Sequence, residues 1–180
     1  MQVAVYGGSF DPPHVGHAMV AGWLLWTQRV ERVWLVPAFQ HALDKRLQPF
    51  ERRLELCRAM AADVDAARIA VVDVEARLPT PSYTLHTLRA LASEHPQHRF
   101  RLVVGADVLD QTEHWHAWVT IQREFAPIVV GRVGWPSVAG APSFPGVSST
   151  EIRQRLADDE PVDHLVTAGV ASLISPGASR

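Results

Sequence analysis

The stretch Gly7-Gly8-Ser9-Phe10-Asp11-Pro12-Pro13-His14-Val15-Gly16-His17 constrains this chain more than any other. It follows a short apolar run, Val3-Ala4-Val5-Tyr6, that reads as a buried strand, and a largely apolar helical stretch, Ala18 to Gln28, comes after it. Strand, glycine turn, two histidines and helix are the layout of a phosphate-binding βα unit. Backbone N–H groups at a helix start face an anion, and the helix dipole favours negative charge there. Glycine lets the backbone approach a ligand without a Cβ clash. Asp11-Pro12-Pro13 stiffens the turn at a place where the missing proline N–H costs nothing. His14 and His17 are three apart, so on a first helical turn they share one face. Each can donate to a phosphate oxygen and, when protonated, stabilise charge building on a phosphoryl group. A bare Gly-Gly turn or a His-x-x-His metal pair are the competing readings. No Cys or carboxylate partner for a metal stands nearby in the sequence.

Composition narrows the class. With 180 residues, 47% hydrophobic and 20% charged, the chain is long enough for one α/β domain with a substantial core. A net charge of −2 does not suggest a nucleic-acid binder, so any phosphate site has to be a local positive patch. The single cysteine, Cys57, excludes an intrachain disulfide framework and a cysteine-based zinc site, and it reads as core. The chain enters a strand at once, with no leader pattern and no apolar run of membrane-spanning length, so a cytoplasmic protein is the default.

Further along, Val33 to Val36, Ile69 to Val72, Phe100 to Val104 and Pro127 to Val130 read as strands. They alternate with helical patterns from Phe50 to Met60, Tyr83 to Glu94 (capped by Ser82) and Trp118 to Glu124. Residues 133–147 read as an irregular loop. Ser148 or Ser149 caps a helix to about Ala157, and a last helix runs from Val162 to Ile174. Unbroken Val/Ile/Leu runs alternating with helices predict a Rossmann-like α/β fold. Its mainly parallel sheet has five strands or more, with helices on both faces. One domain over 1–180 is expected, the C-terminal helical segment of about 149–175 packing on it. Ligands in such sheets bind at the carboxyl ends of the strands. Val147-Ser148-Ser149-Thr150-Glu151-Ile152-Arg153 makes a second anion nest at a helix start, and arginine can grip phosphate with two parallel donors. Read alone, it is also an ordinary Ser/Thr cap with a solvated arginine.

The Gly8–His17 string resembles the signature of the nucleotidyltransferase superfamily that carries the (H/T)xGH motif. Its members move a nucleotidyl group from a nucleoside triphosphate to a phosphate and release pyrophosphate. Val147–Arg153 resembles the (I/V)SSTxIR motif of the same superfamily and stands in the matching order. Pro81-Ser82-Tyr83-Thr84 resembles a segment of nicotinate-nucleotide adenylyltransferases in which backbone amides near the Thr recognise the nicotinate carboxylate. Gly105-Ala106-Asp107 is similar to that family's ribose-contacting Gly-x-Asp step. Trp115 matches a tryptophan stacking on the pyridine ring, as a flat indole suits a pyridinium. Arg132 resembles a family arginine after the fifth strand. The loop after the second strand departs from the family's Pro-x-His-Lys pattern. Here His41 and Lys45 are spread apart, and the resemblance implies Lys45 as the phosphate-binding lysine, with Arg46 as its rival.

The resemblance implies AMP transfer from ATP to nicotinate mononucleotide, with Mg²⁺ accompanying ATP. It implies His14, His17, Lys45 and Arg153 as the catalytic set. ATP would be held by Gly7, Gly8, Ser9, Phe10, His14, His17, Gly105, Asp107, Ser148, Ser149, Thr150 and Arg153. The acceptor would be held by Tyr83, Thr84, Trp115 and Arg132, with no protein cage for metal. The partners are then small molecules, not nucleic acid or membrane, with a homo-oligomer left open. The same chemistry on nicotinamide mononucleotide or phosphopantetheine, and nucleotide binding without turnover, are the alternatives. A dinucleotide-dependent dehydrogenase lacks its Gly-x-Gly-x-x-Gly pattern here.

Overall fold

The apolar runs split by period two onto two faces of one sheet. In the computed structural model, which describes residues 1–27, 29–40, 47–80, 83–109, 117–135 and 140–174, Val3 and Val5 enter one core and Ala4 the other. Trp34 and Val36 oppose Val33 and Leu35 in the same way, as do Leu102 and Val104 opposite Val103. That alternation is why these strands carry no polar face: both sides are covered.

The strands are β1 (Gln2–Gly8), β2 (Arg32–Pro37), β3 (Ile69–Val71), β4 (Arg99–Gly105), β5 (Ile128–Arg132) and β6 (Ser143–Phe144). They pair in the order β3-β2-β1-β4-β5-β6, every neighbouring pair parallel. One face is covered by α1 (Val15–Trp26), α2 (Phe50–Asp65), α6 (Ser149–Ala157) and α7 (Ala168–Ile174), which contribute Leu24, Met60, Ile152 and Val170 to the core. The other is covered by α3 (Thr84–Glu94) and α5 (Trp118–Phe125), with Leu88, Leu91 and Ile121 packed inward. A short α4 (Ala106–Leu109) follows β4, and a 3₁₀ turn spans Val74–Arg77.

Strand order reverses between β1 and β4, which makes their carboxyl ends the switch point where open α/β sheets take ligands. The β1–β4 ladder ends at Val5–Leu102, three residues short of Gly8 and Gly105. The motif turn after Gly8 and the Gly105 step after β4 therefore flank that crevice.

The expected fold is present, with differences in detail. Within the segment read as irregular loop, Ser143 and Phe144 form a sixth strand, too short to show a period. The C-terminal helix is only Ala168–Ile174, because residues 163–166 form turns that bury Val162, Leu165 and Val166, and Leu165 O accepts from Val15 N–H. Tyr83, not Ser82, stands at the cap position of α3, and it makes no side-chain cap bond. Ser82 itself lies outside the described residues. No helix of the described residues is long and apolar enough to cross a membrane.

Candidate active site

α1 begins on His14, which sits at the N-cap with extended backbone (φ −144°, ψ 173°). Its N–H donates to His17 Nδ1 at 3.2 Å. Because Nδ1 is the acceptor, the neutral His17 ring carries its proton on Nε2, which leaves Nε2–H as the donor for a ligand. The two ring centroids are 3.7 Å apart and tilted 32°. Phe10 and Tyr6 wall the His17 ring at 4.9 and 5.8 Å. Gly16 makes the ring pair possible: a Cβ there would stand 3.0 Å from His14 Nδ1. Phe10 is buried with left-handed backbone (φ 48°), and its ring fills the space beside Gly8.

Burial pushes the His14 imidazole down to about 4, with the Arg132 charge adding to the effect. His17 is held well below its ordinary range by burial, then by His14 and Arg132. Protonated histidines, one of the two states expected from the sequence, are thus not the resting state near neutral pH. The pair offers neutral N–H donors beside a fixed guanidinium. Arg132, at the end of β5, donates through Nη2 to Val147 O at 2.9 Å and Gly146 O at 3.3 Å. It ties the chain leading into α6 to the carboxyl end of β5.

The second motif closes onto the first. Ser148 caps α6, its Oγ accepting from Glu151 N–H at 3.1 Å. Ser149 Oγ donates to Pro12 O at 2.8 Å, and Arg153 Nη1 donates to Asp11 O at 2.6 Å. Arg153 also reaches Thr150 Oγ1 at 3.3 Å and lies 3.8 Å from Asp11 Oδ2. The Asp11 carboxylate is 2% exposed; Oδ2 accepts from Gln48 N–H at 3.4 Å, and Oδ1 has no hydrogen-bond partner among the described residues. Two segments read separately from the sequence are one structural unit.

Gly105 ends β4 across the crevice, and Asp107 falls in α4, its side chain outside the description. Tyr83 and Thr84 stand at the start of α3, the Tyr83 ring 5.7 Å from His86. Lys45 and Trp115 lie outside the described residues.

A model of the cytidylyltransferase-like family matches residues 5–155, which contain both motifs. The chain belongs to that family. It is 49% identical over 166 residues to a "probable nicotinate-nucleotide adenylyltransferase" of Anaeromyxobacter sp. (strain K), covering 92% of this chain and 89% of the relative. It is 37% identical to a protein of the same name from Myxococcus xanthus (strain DK1622), covering 93% and 88%. The solved structure of Plasmodium falciparum nicotinic acid mononucleotide adenylyltransferase complexed with NaAD shares the fold. Its TM-score is 0.81 at 20% identity, covering 96% of this chain and 94% of that one.

Within this cytidylyltransferase-like site, sequence reading passed over Arg53 and Glu75. Arg53 is fully buried, donating to the carbonyls of Ser9, Gln48 and Phe39. A signal was present: Arg53 shares the α2 stripe of Cys57 and Met60, four and seven residues on, a charge at a core position. Glu75, in the 3₁₀ turn, accepts from Phe39 N–H and from Thr87 Oγ1, each at 3.1 Å. Nothing local marks it.

Proposed function

We propose that this nucleotidyltransferase moves AMP from ATP to nicotinate mononucleotide, making nicotinate adenine dinucleotide and pyrophosphate in NAD biosynthesis. The observation that carries this reading is the junction of the two anion nests, where Ser149 and Arg153 bond to the Pro12 and Asp11 carbonyls beside His14 and His17. The names of relatives up to half identical over nine-tenths of the chain support the acceptor.

A phosphate oxygen of the acceptor attacks the α-phosphorus of ATP in line. The new P–O bond forms as the bond to the β-phosphate bridging oxygen breaks, and the electron pair leaves with pyrophosphate. A phosphate is already a nucleophile at neutral pH, so positioning and charge stabilisation suffice without a general base. His17 Nε2–H and His14 donate to the triphosphate. Arg153 and Lys45 neutralise the departing pyrophosphate, while Gly7 to Phe10, Gly105, Asp107 and Ser148 to Thr150 seat ATP. Tyr83, Thr84, Trp115 and Arg132 select the acceptor.

Among the described residues no three His, Cys, Asp or Glu side chains gather to hold a metal ion. Mg²⁺ would accompany ATP at this site and would lower the charge of the triphosphate, with no protein ligand assigned to it. The chain acts on these small molecules as one unit in the cytoplasm.

The test is pyrophosphate release from Mg·ATP with nicotinate mononucleotide, nicotinamide mononucleotide and phosphopantetheine in parallel. Release with the first at the highest kcat/KM is the expected result. Preference for another acceptor refutes the substrate assignment, and silence from all three refutes the reaction.

A further inference from the structure

Arg53 heads the fully buried side chains by volume, at 1% exposed. Burying a guanidinium is unfavourable unless every donor is satisfied, and an apolar side chain of similar size would fill the core at lower cost. Each of its three nitrogens has a carbonyl to bond, which offsets part of that cost. Nε donates to Gln48 O at 3.0 Å, Nη1 to Ser9 O at 2.9 Å and Nη2 to Phe39 O at 3.5 Å. The three carbonyls come from three separate segments: the motif turn after β1, the chain leaving β2, and the entry to α2. Asp11 and Glu75 are the carboxylates whose charge it feels most. Phe50 lies under the guanidinium, 5.4 Å from its ring centroid.

We infer that Arg53 is a positioning residue that locks the Ser9–Phe10 peptide of the ATP-binding turn to the loop after β2. The inference rests on the adenylyl-transfer reading above. A trans peptide is planar with its C=O and N–H pointing opposite ways, so holding Ser9 O against Arg53 aims the Phe10 N–H in the opposite direction within that plane, away from Arg53. The lock extends across the site. Phe39, whose carbonyl Arg53 holds, donates its own N–H to Glu75 Oε2, and Glu75 Oε1 accepts from Thr87, three residues beyond Thr84 on α3. A continuous line of hydrogen bonds thus joins the ATP turn to the helix assigned to the acceptor. A lysine at position 53 keeps the charge that Asp11 and Glu75 face, but one ammonium cannot reproduce a planar fork with three fixed directions.

The experiment titrates Mg·ATP into the wild-type chain, Arg53→Lys and Arg53→Met by calorimetry, with kcat and KM measured alongside for ATP and the preferred acceptor. Arg53→Lys is expected to hold the wild-type far-UV circular dichroism while its Mg·ATP Kd and KM rise about tenfold, the scale of one lost charge-assisted bond. Arg53→Met is expected to lose more. A folded Arg53→Lys or Arg53→Met with wild-type Kd and KM overturns the inference. A wild-type measurement needs no variant: the ¹⁵N-labelled Arg53 Nε signal shifts on saturation with Mg·ATP, and that of Arg77, paired with Glu94 away from the turn, does not. An unmoved Arg53 signal at saturation overturns the inference as well. Failure of the wild-type chain to bind Mg·ATP at all is a separate result, and it strikes the adenylyl-transfer reading itself.

Discussion

Arg153 Nη1 donates to the carbonyl oxygen of Asp11 at 2.6 Å, although 142 residues separate the two in the chain. The bond makes helix α6 part of the wall of the N-terminal turn. Closing so long a loop costs entropy that this contact alone does not return, so the packed sheet and Ile152, fully buried in α6, supply the closure. Arg153 then acts on a turn already in place.

Replacing Arg153 by Met should therefore spare the fold and damage the reaction. The side chain is 42% exposed, so little core is lost. The kcat/KM for ATP should fall by about 30-fold or more, the scale of a charge-assisted bond worth about 2–3 kcal/mol. Pyrophosphate release and a thermal melt, run together, check both halves.

His17→Ala removes the Nε2–H donor and the ring that accepts the His14 N–H. A preorganised donor to developing charge is worth about 3–4 kcal/mol, so kcat should drop by about a hundredfold to a thousandfold. A kcat near the wild-type value would remove His17 from the chemistry.

Acid should weaken the fold through the histidines. The His14 pKa is depressed in the folded chain, to about 4 from the ordinary 6.5, by burial first and Arg132 second. Above pH 6.5 both folded and unfolded His14 are neutral and contribute no difference. Between 6.5 and about 4 the unfolded chain binds the extra proton, so stability is lost as pH falls. From pH 7 to pH 5 this amounts to about 2 kcal/mol, and His17 adds in the same direction. Denaturant melts of wild type and His14→Asn across that window test it: the variant should show the shallower pH slope.

Gly16→Ala sets two effects against each other. Alanine in a helix gains up to about 1 kcal/mol over glycine. The added Cβ, at 3.0–3.1 Å from the His14 ring, has to push that ring aside. Stability should stay within about 1 kcal/mol of wild type while pyrophosphate release falls. An unchanged rate would mean that the ring position has no bearing on turnover.

Cys57 is fully buried, and burial pushes its thiol up to about 12. The thiolate is the reactive form. A thiol reagent such as Ellman's should leave the native chain unlabelled and react fully after denaturation.

The strand, turn and helix around Gly7–His17 were legible in the sequence because they are written in local chemistry: an apolar run, two glycines, two prolines and a helical period. The alternation of strands and helices was legible for the same reason, and it predicted a parallel sheet covered on both faces. The Ser148 cap and the Ile152 contact of α6 follow from a hydroxyl and an apolar residue at helix spacing. Where local signals were weak the reading slipped. Ser143-Phe144 is too short to show a period, and Val162, Leu165 and Val166 imitate a helical stripe while their backbone forms turns.

Other features depend on residues distant in the chain, and only the tertiary structure decides them. Residue types name candidate donors; packing decides which are satisfied, which are buried and which charge they carry. His14 and His17 are neutral because the fold surrounds them with Phe10, Tyr6 and the Arg132 charge, not because of their spacing. Arg53 reads as one more charge on a helix until Ser9, Phe39 and Gln48 close around it. Sequence by itself determined the longer elements, their order and both motifs, since these rest on short-range periodicity and turn chemistry. Their union at the Asp11 carbonyl, and the burial that sets the protonation of the site, came from long-range contacts that exist only once the sheet has formed.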